Sequence, residues 1–390
     1  MKMKPAEFIA LSACTMMLTA LGIDIMLPAF GELRKHFQLA PASTEASKVI
    51  SFFFMGQVAQ IIFGALSDRF GRLSILRIGF PLYIAGGLVA AFSESLPVIF
   101  IARFAAGVGA SAVFMTTIAG VRDRFVGDHM ARVMSLVFTI FLFTPVLAPF
   151  LGLAVLSVSD WRMVFLTPPI FAVIVFVWSL RLEESLPVEQ RIPLDRKNLT
   201  ASVKKILNNR IFLRYTAIST MLFTALSAYV ASSEHIVGEL FGRPDLFAWI
   251  FAGMGLMMSL CTLINSRLSL RYGARRVIKW LLSIYSAAGG VLLLWTLTTH
   301  DPPNMVLFFT AITVLLGINL AIEPNSSALA LEPLGKTAGM ASSIYGTTFF
   351  FIGSVIGSLI SGSMSHHVLP LVLCFFVFGV LCLFLVVSKK

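Results

Sequence analysis

Three charged side chains sit where an apolar chain should have none. Asp24 lies in ALGIDIMLPAF (residues 20–30), Arg103 in RFAAGVGASA (103–112) and Glu323 in GINLAIEPNSSALALEP (317–333). A carboxylate in such surroundings can take up or release a proton as its hydration changes, because desolvation favours the neutral acid and a nearby guanidinium favours the anion. A proton affinity that follows conformation or bound ligand is a coupling device. The competing reading is that Asp24 and Arg103 form a permanent dry ion pair, which often contributes little net stability. Ionisable groups within membrane spans normally face a bundle interior or a water-filled cavity and mark function, so a coupling or substrate-contact role for Asp24 is favoured. Glu323 is a second candidate proton or cation site. Pro324 after it frees a backbone carbonyl one turn back and bends the helix. Pairing with a gate arginine, or water at the helix end, is an equal alternative.

The elements that position these groups follow from composition. Of 390 residues, 57% are hydrophobic and 13% charged, with a mean hydropathy of +0.89. Soluble domains carry about 25% charged residues, so the chain is read as a polytopic membrane protein. A hydrocarbon core of about 30 Å takes roughly 20 apolar residues per helix. Twelve such runs are predicted, at 8–30, 47–66, 74–93, 97–120, 132–157, 161–181, 211–233, 246–266, 277–298, 304–330, 338–362 and 367–388. The first, preceded by Lys2 and Lys4, is too long for a signal-peptide core and is expected to stay. With the N-terminus inside, 24 of the 30 Lys and Arg fall on the cytoplasmic side. Only Arg34, Lys35, Lys48, Arg162 and Arg243 lie opposite, with Arg103 inside a span. The positive-inside rule then places both termini in the cytoplasm.

The segment 182–210 divides the spans into six and six, giving an N-terminal half, 1–181, and a C-terminal half, 211–390. It is read as a solvated linker with a short amphipathic helix near 199–209. Two six-helix halves suggest a transporter built from structural repeats, with its site where they meet. Asp24 and Arg103 each lie about six residues from the outer ends of the first and fourth spans. At about 1.5 Å per residue both sit roughly 9 Å deep, which makes a pair possible.

After the second span the chain reads GALSDRFGRLSILR (64–77). Gly64 allows close helix contact at the membrane edge and Gly71 a tight turn. Asp68 can face a helix N-terminus or an arginine, while Arg69 and Arg72 hold the loop inside. A generic positive-inside turn would not need two glycines, an acid and two arginines at these spacings.

This stretch resembles the signature loop of the major facilitator superfamily, G-x-L-x-D-R-x-G-R, which Gly64, Leu66, Asp68, Arg69, Gly71 and Arg72 match position by position. Arg103, Gly107 and Gly109 are similar to its fourth-helix pattern. In APFLG, Ala148, Pro149 and Gly152 resemble the helix-bending antiporter motif, although that motif usually shows Gly-Pro and a closing Gly-Gly. SDWRMVF (159–165) and NSRLSLRYGARR (265–276) look like the Bcr/CflA-type drug:proton antiporters. The resemblance covers essentially the whole chain. It implies an all-α fold of twelve transmembrane helices in two halves, with helices 1, 4, 7 and 10 lining the substrate cavity. It also implies that the helix 2–3 loop stabilises the outward-facing state: Asp68 engages the start of helix 11, and Arg72 pairs an acid at the end of helix 4, for which Asp123 is the candidate. Aligning RYGARR with RFGRLS sets Leu270 opposite Asp68, so the latch should be asymmetric, with most of its charge in the first half.

Met26, Met115, Thr116, Tyr229 and Asn325 are the polar or soft residues on the cavity helices. A Met- and Phe-rich wall suits varied lipophilic ligands, although packing alone would also explain them. Glu234 and His235, past the seventh run, are read as a solvated vestibule. The four cysteines lie in apolar segments without metal or redox spacing, so no metal or cofactor is expected. There is no GxxxxGK[ST], H-E-x-x-H or Gly-x-Ser-x-Gly pattern, which argues against an ATP-driven pump and against an enzyme. The reading is a proton-coupled exporter of amphipathic drugs or small metabolites in a bacterial inner membrane. Its partners are the substrate, protons and the bilayer, without nucleic acid, and it is taken to be a monomer. A narrow siderophore, sugar or metabolite transporter on the same fold, and a non-transporting receptor, remain alternatives.

Overall fold

The computed structural model describes residues 3–191 and 196–388. Lys2, Lys389 and Lys390 of the charge tally, and linker residues 192–195, lie outside the described residues. Among the described residues, twelve helices are long and apolar enough to cross a membrane. They are α1 Pro5–His36, α2 Glu45–Phe70, α3 Arg72–Phe92, α4 Leu96–Arg124, α5 Arg132–Leu156, α6 Trp161–Ser179, α7 Arg210–Leu240, α8 Pro244–Tyr272, α9 Ala274–Thr298, α10 Met305–Gly335, α11 Gly339–Gly362 and α12 Leu369–Val387. Even the 19 residues of α6 give about 29 Å of helix at 1.5 Å per residue, enough for the hydrocarbon core.

Two helices depart from regularity in ways that matter. α1 stops at Asp24, makes a 3-10 turn at Leu27–Ala29 and resumes at Phe30–His36. Pro28 causes the break: it has no N–H, and its ring would collide with the carbonyl four residues back, that of Asp24. α11 relaxes into a π turn at Thr348–Ile352. A second π turn, Ile236–Leu240, carries α7 well beyond the residue 233 expected from hydropathy.

The chain divides into two compact units: Met1–Phe37 with Phe52–Ala201, and Gln38–Ser51 with Ser202–Lys390. In the first, α1 packs on α4 and α5, α2 on α4, and α3 on α4 and α6. In the second, α7 packs on α10 and α11, α8 on α10, and α9 on α10 and α12. Adding six to each number turns the first set into the second, so each half is the same packing diagram. The turn glycines repeat as well. Gly71, between α2 and α3, has φ +94°, and Gly273, between α8 and α9, has φ +83°. Both are left-handed values that favour glycine.

The division departs from the sequence reading at Gln38–Ser51, the α1–α2 loop and the start of α2, which groups with the second unit. Hydroxyls fix it there: Ser47 Oγ lies 3.2 Å from Ser361 Oγ of α11, which accepts from Ser232 of α7 at 2.7 Å. In the linker, a helix runs over Arg196–Leu207, with Ile206 buried.

Candidate functional site

Asp24 is buried at the end of the first segment of α1. Where a helix breaks, its last carbonyls lose their partners. Here the Met26 N–H reaches the Ile23 carbonyl, which leaves the Gly22 carbonyl open. Arg103 of α4 donates to it from Nη2 at 2.5 Å, with its guanidinium 4.4 Å from the centre of the Phe53 ring. Tyr83 of α3 donates to the Leu18 carbonyl one turn earlier, at 2.7 Å. On the α5 side, a methyl group on Gly152 would lie 2.3 Å from the Ile25 carbonyl, so only glycine lets α5 sit against the break. Three residues before it, Pro149 stands within the same helix. The break is thus wedged by α3, α4 and α5. The dry Asp24–Arg103 pair is not formed: among the described residues no hydrogen bond or ion pair joins them, because Arg103 satisfies a backbone carbonyl two residues short of the acid.

The α2–α3 turn brings together Asp68, Arg72 and Asp123. Arg72 donates from Nη1 to Asp68 at 2.5 Å and to Ser67 at 2.8 Å, and from Nε to Asp123 at 2.9 Å. Arg69 is exposed and lies over Phe70, while Gly64 is half-buried one turn before Asp68. Glu184, from the segment read as solvated linker, completes the cluster. Its carboxylate accepts from Arg72 N at 3.0 Å and Leu73 N at 3.1 Å, capping the start of α3, and from Ser185 N and Leu186 N at 3.0 and 3.1 Å. Ser185 donates to Asp123 at 2.9 Å. Leu186 is buried, so the linker is anchored through residue 186. The readable signal was an α3 start with glycine ahead of it and no capping side chain of its own, which left an anion wanting. Behind the cluster is a cavity of about 30 Å³ lined by Ser12, Thr15, Thr116, Thr117, Arg72 and Arg124 among others.

In the second half the corresponding contact is sparse. Arg275 lies 3.5 Å from Glu332, both well exposed, and Leu270 stands fully in the open where Asp68 stands in the first half. Glu323 is half-buried and accepts from the Tyr345 hydroxyl at 3.3 Å; that hydroxyl also lies 2.7 Å from Ser219 Oγ. No arginine pairs with Glu323 among the described residues, which removes the gate-arginine reading.

The residues chosen for the cavity are placed as follows. Met26 is fully buried at the α1 break, and Met115 is half-buried. Thr116 bonds the Ala112 carbonyl of its own helix at 2.7 Å. The Tyr229 hydroxyl lies 3.0 Å from Met254 Sδ, and Asn325 donates to Asn265 of α8 at 2.9 Å. Asn319 of α10, not singled out from sequence, donates to the Leu222 carbonyl of α7 at 2.6 Å. Glu234 and His235 correct the vestibule reading, since both are buried. The π turn continues α7 past them, and His235 Nε2 lies 3.1 Å from the Met364 carbonyl beyond α11.

At the opposite end of α3 from the Arg72 cluster, Glu94 joins His36 at 3.0 Å and Arg162. The His36 hydrogen bond, and then Arg162, hold the Glu94 carboxyl below its ordinary range.

Comparison with known proteins adds lineage to this geometry. The family model described as Major Facilitator Superfamily matches residues 12–242 and 217–388. The chain is 26% identical over 360 residues to a protein of Haemophilus influenzae named bicyclomycin resistance protein homolog, covering 91% of this chain and 89% of that one. It is 26% identical to the multidrug resistance protein MdtL of Escherichia coli O157:H7, over 90% of this chain and 86% of that protein. Among solved structures, a D-xylose–proton symporter superimposes with a TM-score of 0.73 at 15% identity, over 97% of both chains. The nucleoside transporter NupG gives 0.75 at 13% identity, over 97% of this chain and 98% of that one.

Proposed function

We propose, for a chain that belongs to the Major Facilitator Superfamily, that it is a proton-coupled exporter of amphipathic drugs or small metabolites. It resides in a bacterial inner membrane with both termini in the cytoplasm. The observation that carries this reading is Asp24: a buried acid at a helix break, with the neighbouring arginine engaged by backbone instead of by the carboxylate. Among the described residues no fixed cation neutralises this acid, and its protonation can follow the hydration of the break. The names of the drug-resistance relatives support export. Bicyclomycin and multidrug resistance are properties of those proteins, carried to this chain as part of the proposal.

The mechanism is alternating access. Each half repeats one packing diagram, as in transporters built from structural repeats, and Asp24 takes a proton from one side and yields it to the other while substrate moves against it. Arg103 holds the broken end of α1 in register through Gly22, so the carboxylate keeps its position as the bundle moves. The Asp68–Arg72–Asp123 cluster acts as the latch of one state.

Proton release from the purified protein on addition of a chemically broad ligand panel tests this, comparing wild type with Asp24→Asn. Release that vanishes in the variant while ligand binding persists is the expected result. Binding without release from the wild type would overturn proton coupling, pointing to a uniporter, another coupling ion or a receptor.

A further inference from the structure

Asp24 apart, the partly buried acids of the first half have a charged or backbone partner. Asp68 and Asp123 have Arg72, Glu184 has four backbone N–H groups, and Glu7 has Arg181 and the Trp178 indole. Glu323 is different. Among the described residues its only donor is the Tyr345 hydroxyl, which has one proton to divide between it and Ser219. A carboxylate held in a span without a resident cation is complementary to a cation that arrives from elsewhere.

The surroundings point to what kind of cation. Tyr345 and Phe349 stand one turn apart on α11 and stack with centroids 6.1 Å apart and planes 10° apart. Phe223, one turn from Ser219 on α7, lies 4.3 Å from Phe349 and 5.0 Å from Phe350. Phe349 and Phe350 meet nearly at right angles, 4.9 Å apart. Both phenylalanines lie in the π turn Thr348–Ile352, a distortion frequent at functional sites. Glu323, Phe349 and Phe350 are each half-buried, so the cluster is not sealed. An anion whose tyrosine partner leads into a run of aromatic rings carries the elements of ammonium recognition through cation–π contact. A small hydrated ion would gain little from the rings, and an anion would be repelled by Glu323.

We propose that Glu323, Tyr345 and the rings of Phe223, Phe349 and Phe350 form a subsite in the second half for the head of a lipophilic, singly charged organic cation. It rests on the transporter reading only for what binding accomplishes; the binding itself is independent of proton coupling. Ser219 and Tyr345 orient the carboxylate, and the rings select bulk and charge together.

The test is calorimetric titration of the full-length detergent-solubilised protein with tetraphenylphosphonium, using neutral triphenylphosphine oxide as competitor. Wild type should bind the cation without displacement by the oxide. Glu323→Gln should bind at least about tenfold more weakly, equivalent to about 1.4 kcal/mol, and Phe349→Leu about threefold more weakly. Wild type that ignores the cation, or releases it equally to the oxide, overturns the proposal. So does Glu323→Gln binding within twofold of wild type. The oxide competition and Phe349→Leu keep the proposal testable if Glu323→Gln folds poorly. Asp24→Asn separates the two readings: Glu323-dependent binding with no proton release from any protein sinks proton coupling alone. Proton release through Asp24 with Glu323-indifferent binding sinks the subsite alone.

Discussion

Replacing Glu184 with alanine should free the start of the linker. The side chain caps two N–H groups at the head of α3 and two more in its own turn, at 3.0–3.1 Å. An N-cap acceptor is worth about 0.5–2 kcal/mol, and an anion at a helix N-terminus about 0.3–1 kcal/mol. Local opening of the segment should therefore become easier by about 1–3 kcal/mol, or roughly 5- to 150-fold at about 1.4 kcal/mol per decade. Arg181 and Arg191 flank the cap, so limited trypsin digestion reads the opening directly when reclosing outpaces cleavage. Glu184→Gln keeps an acceptor oxygen and should fall between. Gly71→Ala attacks the same contact from the other side: its methyl would sit 2.3 Å from the Glu184 carboxylate, at a backbone φ of +94°. The two changes should combine less than additively, as neighbours sharing one interaction do. Cleavage of Glu184→Ala at the wild-type rate within twofold, with unchanged elution volume, would refute the capping argument.

Three further outcomes are expected. Asp24→Asn should fold and bind ligand but lose export driven by a pH gradient in membrane vesicles, and unimpaired gradient-driven export would remove Asp24 as the proton site. Gly152→Ala forces α5 off the Ile25 carbonyl and should lower stability by about 1–3 kcal/mol, the usual cost of overpacking; an unchanged thermal aggregation curve in detergent would count against the close seat. Because His36 and Arg162 hold the Glu94 carboxyl below its ordinary range, their contribution is present above the unfolded value of about 4.3 and is lost as pH falls through the lower folded value. Melting curves of wild type and Glu94→Gln should therefore differ at neutral pH and converge in acid, and a gap that persists in acid would refute the assignment.

Much of the architecture was legible in sequence because a membrane span is a local property. Twenty apolar residues announce themselves, and the twelve expected runs correspond in order to twelve helices. The turn glycine at 71 and the arginine beside it were legible for the same reason: their roles are set within a few residues. Glu184 was not. Its partners Arg72 and Leu73 are more than a hundred residues away in sequence, and nothing in a polar segment says which of several acids will find a helix end. The fate of Glu234 and His235 turned on a π turn that hydropathy does not register. Pro28, by contrast, was in plain view four residues after Asp24, and the break it makes could have been read by asking which carbonyl its ring displaces.

The π turn of α11 has a consequence for how variation along this helix should be read. Five buried positions on α11, Ala341, Tyr345, Gly353, Gly357 and Ser361, share one four-residue register, with half-buried Phe349 filling the step between Tyr345 and Gly353. On a regular helix each step of four overshoots a full turn by about 40°, so such a stripe would drift about 200° from 341 to 361. One extra residue in the π turn takes back about 100° of that. A saturation mutagenesis profile of α11 should therefore show two phases rather than one, each with the ordinary 3.6-residue beat and displaced by a single residue at Thr348–Ile352. Deleting one residue there would turn Gly353 and Gly357 away from their close seat on α7 while leaving every residue type in the helix acceptable on its own.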